Sequence, residues 1–140
     1  MAVRQLNVFV ENKSGAVAQI TELLSANQID IRAMVLADTP DHGILRLIVS
    51  DTDKAVAVLE AEHIITKVIG ITIVRIKNEH GGLSRVLAIL RDNNISIEYM
   101  YAFVAVSGEE AFAALRFENK EAALHVLNEH NVPILHSEME

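Results

Sequence analysis

Leu6, Val8 and Val10 alternate with Asn7, Phe9 and Glu11, a period of two that predicts a strand with one face on a core. The strand ends at Asn12-Lys13-Ser14-Gly15. Val17, Ile20, Leu23 and Leu24 then recur at helical spacing, with Ser14 placed as the helix N-cap. This helix is expected to stop near Ala26-Asn27. Ile29, Ile31, Ala33 and Val35 next alternate with Asp30, Arg32, Met34 and Leu36 up to a turn signal at Asp38-Thr39-Pro40-Asp41-His42-Gly43, which predicts a second strand and a hairpin. Ile44 to Ser50 reads as a third strand, and Asp51-Thr52-Asp53 as a helix start. Val58 and Leu59 supply that helix with an apolar stripe, and residues 64–69 form a β-branched fourth strand. The predicted order is βαββαβ.

That order then returns. Val8 to Gly15 is echoed 66 positions later by Val74 to Gly81, and the same offset pairs Asn12 with Asn78, Leu24 with Leu90, Asn27 with Asn93, Ile31 with Ile97 and Met34 with Met100. Past residues 38–43 the offset becomes 68, matching Leu47 with Leu115, Ala55 with Ala123 and Leu59 with Leu127, so the second copy carries a two-residue loop insertion. Its predicted elements are strand 71–77, helix 82–92, strands 95–106 and 111–117, helix 119–130 and strand 132–136. The expected domains are residues 1–69 and 70–140, joined by a short hinge at Val68-Ile69-Gly70-Ile71. The expected fold class is α+β: two ferredoxin-like βαββαβ units with antiparallel sheets and helices on one face. A copy of about 70 residues is near the lower limit for a self-sufficient core. The outer strands 29–37 and 95–105 are therefore expected to pair edge to edge, within the chain or between two chains.

Composition narrows the function classes. Hydrophobic residues make up 51% of the chain and charged ones 22%, so apolar surface suffices for a compact fold. A net charge of -7 with scattered Lys and Arg disfavours nucleic acid. The RNA-recognition motif shares the element order, but its stacking aromatics belong on the central strands, where Phe9 stands alone in the first copy and residues 71–77 have none. The absence of cysteine excludes disulfides, a thiol nucleophile and a thiolate metal site. Neither a signal-peptide core nor a membrane-spanning apolar run is present, so a cytoplasmic protein with no membrane partner is expected. The six histidines form no metal-ligand spacing, and no Ser/His/Asp set or phosphate loop supports catalysis, so neither an enzyme nor a cofactor is expected. Tyr99, Tyr101 and Phe103 share one face of their strand, as core or interface packing or as the lining of a ligand's side-chain pocket.

The run Glu11-Asn12-Lys13-Ser14-Gly15, then a helix, then Asn27-Gln28-Ile29-Asp30-Ile31 resembles the ACT domain, a small regulatory module that senses amino acids in many biosynthetic enzymes. The second copy matches with Asn78-Glu79-His80-Gly81-Gly82-Leu83 and Asn93-Asn94-Ile95-Ser96-Ile97. The resemblance covers nearly the whole chain and implies a tandem ACT protein without an attached catalytic domain. It implies a free amino acid or related small metabolite as ligand, held between the first strand-to-helix loop of one module and the second strand of its neighbour. The implied partners are a second copy in a homodimer and a biosynthetic enzyme. On this sequence the loop positions are Asn12, Ser14, Gly15 and Ala16 in the first copy and Asn78, His80, Gly81, Gly82 and Leu83 in the second. The strand positions are Asp30 and Ser96. The proline often found before the loop glycine is replaced by Ser14 and His80.

These residue types suit an α-amino acid. A helix N-terminus offers backbone N–H groups to a carboxylate, and glycine lets the ligand approach the backbone. An Asn carboxamide can serve either end group, and Asp30 answers an ammonium. Each also has a structural reading: the glycines as turn residues, Asn12 and Asn78 as loop braces, Asp30 and Ser96 as solvent-facing strand residues. If the modules pair reciprocally, the loop of the second copy faces Asp30 and that of the first faces Ser96. The site with the carboxylate is then expected to bind more strongly. The alternative function is a dimerising or docking module without a ligand.

Overall fold

The computed structural model describes residues 3–11, 14–38, 42–105 and 107–136. Its elements are β1 (Val3–Glu11), α1 (Ala16–Ala26), β2 (Ile31–Asp38), β3 (His42–Val49), α2 (Thr52–Ala61), β4 (Thr66–Lys77), α3 (Gly82–Asp92), β5 (Ile97–Val104), β6 (Glu110–Phe117) and α4 (Lys120–Glu129). The described residues divide into two compact units, one over Arg4–Gly70 and the other over Val3 and residues 71–136. The division falls inside β4. Val68, Ile69, Ile71, Thr72 and Ile73 are β-branched and hold an extended strand through Gly70, where the sequence predicts a hinge.

Each unit is a ferredoxin-like sheet. The first orders its strands β2-β3-β1-β4; the second orders them β4-β6-β5, with Ile134 bridged to Val74 on the other edge of β4. The expected last strand at 132–136 is reduced to that bridge and its flanking hydrogen bonds, Arg75 N–H to Pro133 O and Leu135 N–H to Ile73 O, both 2.9 Å. The duplication recurs in the pairing itself. Leu6 stands opposite Leu47 and Val8 opposite Leu45 in the first unit; Thr72 stands opposite Leu115 and Val74 opposite Ala113 in the second. Both edge strands shift register at the same place, between Ile31 and Ala33 and between Ile97 and Tyr99. Asp38 pairs with Gly43 and Val104 with Ala111, which confines the insertion to the turn.

The period of two puts one face of each sheet on its helices. In the first unit Leu6, Val8, Leu45 and Leu47 meet Ile20 and Leu24 of α1 and Leu59 of α2. Val74, Leu115, Phe117, Leu90 and Leu127 repeat the arrangement in the second. Tyr99, Tyr101 and Phe103 lie on the face away from the helices, with ring centroids 6.5 Å apart for Tyr101–Phe103 and 5.4 Å for Phe103–Phe112.

All four helices stop by one device. Gln28, His63, Asn94 and Asn131 adopt φ of 57, 60, 57 and 58°. The next residue's N–H then reaches back to the last buried leucine: Ile29 to Leu24, Ile64 to Leu59, Ile95 to Leu90 and Val132 to Leu127, at 2.9 to 3.1 Å. The repeated asparagines reinforce the first and third ends, Asn27 donating to Leu23 O and Asn93 to Ile89 O at 2.8 Å each.

Candidate ligand-binding loops

The helices start in two different ways. α2 and α4 are capped by Asp51 and Asn119, whose side chains accept from the N–H of Lys54 and Ala122 at 3.1 Å, and each has an acidic residue in its first turn, Asp53 and Glu121. α1 and α3 have neither. Gly15 and Gly81 occupy their N-cap positions at φ 83 and 82°, with no side-chain cap and no acidic residue in the first turn. This corrects the placement of Ser14 as the cap. The strand-to-helix turn needs a left-handed residue at the cap itself, which glycine adopts without strain and serine does not.

Among the described residues, a β-carbon added at Gly15 or Gly81 would meet nothing within 4 Å, so both backbones are approachable. Gly82 is different. Its β-carbon would stand 2.5 Å from the Lys77 carbonyl oxygen, and its N–H donates to Glu79 O at 3.1 Å. The loop's own backbone therefore takes the space that the sequence reading left for a ligand. Asn78 is exposed and braces the loop, its carboxamide donating to Gly108 O at 2.8 Å and its N–H to Glu109 O at 3.0 Å. Asn12 lies outside the described residues. His80 and Ser14 are exposed, whereas Ala16 belongs to the first core and Leu83 packs against the second.

Asp30 and Ser96 were expected just inside the second strand of each copy; each stands one residue before it and is exposed. Their carbonyls accept from Ser50 N–H at 2.9 Å and Glu118 N–H at 3.2 Å, and the Asp30 N–H donates to Ser50 Oγ at 2.9 Å. Each follows the C-terminal end of the helix that begins at its unit's loop. That helix is 11 residues long, a rise of about 16 Å. A single unit thus keeps the loop and the strand-head residue at opposite ends of one helix.

Beside the second loop lies a cavity of about 220 Å³, lined by Asn78, Glu79, Leu83, Ala102, Phe103 and Val104 among others. Glu79, Ala102 and Val104 were not singled out from sequence; the period of two across β5 could have paired Ala102 and Val104 with the loop side. The cavity is smaller than a typical whole-ligand site and is of a size for one side chain. Among the described residues, no group of three or more His, Cys, Asp or Glu side chains could hold a metal ion. Among the described residues, no helix is long and apolar enough to cross a membrane.

Two capped helices, two glycine-started helices and a repeated register define a duplicated ferredoxin-like module with paired strand-to-helix loops. The chain belongs to the ACT domain pair family, whose model matches residues 1–139. It is similar over its length to protein BT0572 from Bacteroides thetaiotaomicron, at 36% identity and a TM-score of 0.88, covering 96% of this chain and 92% of that one. The fold is shared with the ligand-free regulatory subunit of aspartate kinase from Thermus thermophilus (16% identity, TM-score 0.64, 90% and 91% of the two chains). It is also shared with aspartate kinase from Synechocystis (15% identity, TM-score 0.59), where the match spans 99% of this chain and 27% of the kinase. No curated protein matches the chain.

Proposed function

We propose that the protein is a non-catalytic regulatory module that binds a free amino acid at its glycine-started helices, and that occupancy biases its assembly or its hold on a partner enzyme. The observation that carries this reading is the contrast between helix starts: α2 and α4 are capped, while α1 and α3 lack both a side-chain cap and an acidic first turn. A first turn left this way offers N–H groups and a partial positive charge to a ligand carboxylate. An exposed polar residue such as Asp30 suits the ammonium. Because one unit separates the loop from the strand-head residue, the full set of end-group partners requires a second module, in keeping with a family built of paired domains. The regulatory role draws further support from the relative described as a regulatory subunit.

The test is backbone NMR of nitrogen-15-labelled protein titrated with a mixture of the twenty amino acids at millimolar concentration. Amide shifts centred on residues 15–18 and 81–85 are expected. Shifts confined to other regions, or none, would overturn the loop assignment.

A further inference from the structure

The first unit contains a second cavity, of about 490 Å³, lined by Phe9, Val10 and Glu11 of β1, Ala16, Gln19 and Ile20 of α1, His42 of β3, and residues 62–65 between α2 and β4. Its volume falls in the range of small-molecule sites. Val10 and Ile20 are buried at 6% and 3% exposure, whereas Phe9 and Ile65 present apolar surface at 39% and 67%. Glu11, His42, Glu62 and His63 are exposed around this apolar lining, with Glu11 directly opposite His42 in the β1–β3 register. Among the described residues, the lining holds two carboxylates and no Lys or Arg.

The duplicated chain supplies its own comparison. The frame at these positions is the same in both copies: Phe9 N–H donates to Ile65 O at 3.0 Å, as Arg75 N–H does to Pro133 O at 2.9 Å. The side chains have the opposite character. Where the first copy has Phe9, Glu11, Gln19 and Glu62, the second has Arg75, Lys77, Arg85 and His130. Where the first has His42, the second has Glu110, which forms an ion pair with Arg75 at 3.0 Å in a geometry that makes no hydrogen bond. The strand register and the helix caps are retained between copies, while the apolar and acidic character of this cavity belongs to the first copy alone.

We propose that this cavity, which borders the first amino-acid loop at Ala16, is a binding site for a small organic cation, an ammonium group on an apolar or aromatic body. The body lies against Phe9, Ile20, Ile64 and Ile65. The ammonium is met by Glu11 and Glu62 through charge-assisted hydrogen bonds, with the imidazoles as further partners.

The experiment is titration calorimetry of the full chain with phenethylamine and, as a control of equal shape and opposite charge, 3-phenylpropanoate. The amine should bind at least tenfold more tightly than the acid. Glu62→Gln should weaken the amine several-fold. Phe9→Arg together with His42→Glu grafts the second copy's pair onto a strand frame that already accepts it, so folding should survive and amine binding should fall at least tenfold. No binding of phenethylamine, equal binding of the acid, or undiminished binding in the folded graft would each overturn the proposal.

Discussion

The Asn78 carboxamide donates to the Gly108 carbonyl at 2.8 Å, tying the loop before α3 to the turn between β5 and β6. Gly108 itself sits at φ 78°, so the bond joins two turns at one end of the second unit. Asn78→Ala removes the donor while leaving the acceptor open to water. The expected loss is about 0.5 to 1 kcal/mol in urea denaturation. An unchanged midpoint would show that the brace carries no stability.

The loop glycines should respond unequally. Gly82→Ala forces a β-carbon into the Lys77 carbonyl, a contact backbone cannot yield cheaply. It should cost roughly 2 kcal/mol or more by the same denaturation, in the range of overpacked sites. Gly15→Ala meets open space and bears only the left-handed penalty of about 1 to 2 kcal/mol. Equal losses at the two sites would contradict the packing argument.

Helix ends offer the opposite sign. Gln28 and His63 hold left-handed conformations that glycine adopts freely. Gln28→Gly and His63→Gly should each stabilise by about 0.5 to 1 kcal/mol, net of the extra unfolded-state freedom of glycine. Asn94→Gly should gain less, since asparagine tolerates this region better. Thermal melts of the three variants give the order directly.

Thr52 is 1% exposed, and its hydroxyl has no hydrogen-bond partner among the described residues. An unsatisfied buried hydroxyl is a cost that an isosteric methyl removes. Thr52→Val should leave stability unchanged or raise it by up to about 1 kcal/mol. A loss above that size would mean that the hydroxyl is satisfied in solution.

Much of the fold was legible in the chain because both signals it rests on are periodic. The alternation of Leu6, Val8 and Val10 set the core face, and the offsets of 66 and 68 reappear residue for residue in the pairing of Leu47 and Leu115. What escaped was local and steric. Ser14 has cap chemistry, but the turn placed its left-handed residue at Gly15. Gly70 looked like a hinge, yet its β-branched neighbours keep β4 extended. The stop of α1 near Ala26-Asn27 was legible, but the left-handed residues Gln28 and His63 that close their helices carry no glycine signal, and only their return hydrogen bonds reveal them. At the site, the loops were visible as motifs. The first-unit cavity was not, because it depends on tertiary closure that no linear pattern encodes.

The central claim is amino-acid binding, and a melting-temperature screen of the intact protein against the twenty amino acids at millimolar concentration tests it most directly. A ligand present at about a hundred times its Kd adds roughly 2.7 kcal/mol, a rise of roughly 5 to 10 °C for a chain of this size. The prediction is such a rise for one amino acid or a few of related structure. No rise for any of them, or the same small rise for all, would contradict the claim and leave the paired loops as turn chemistry alone.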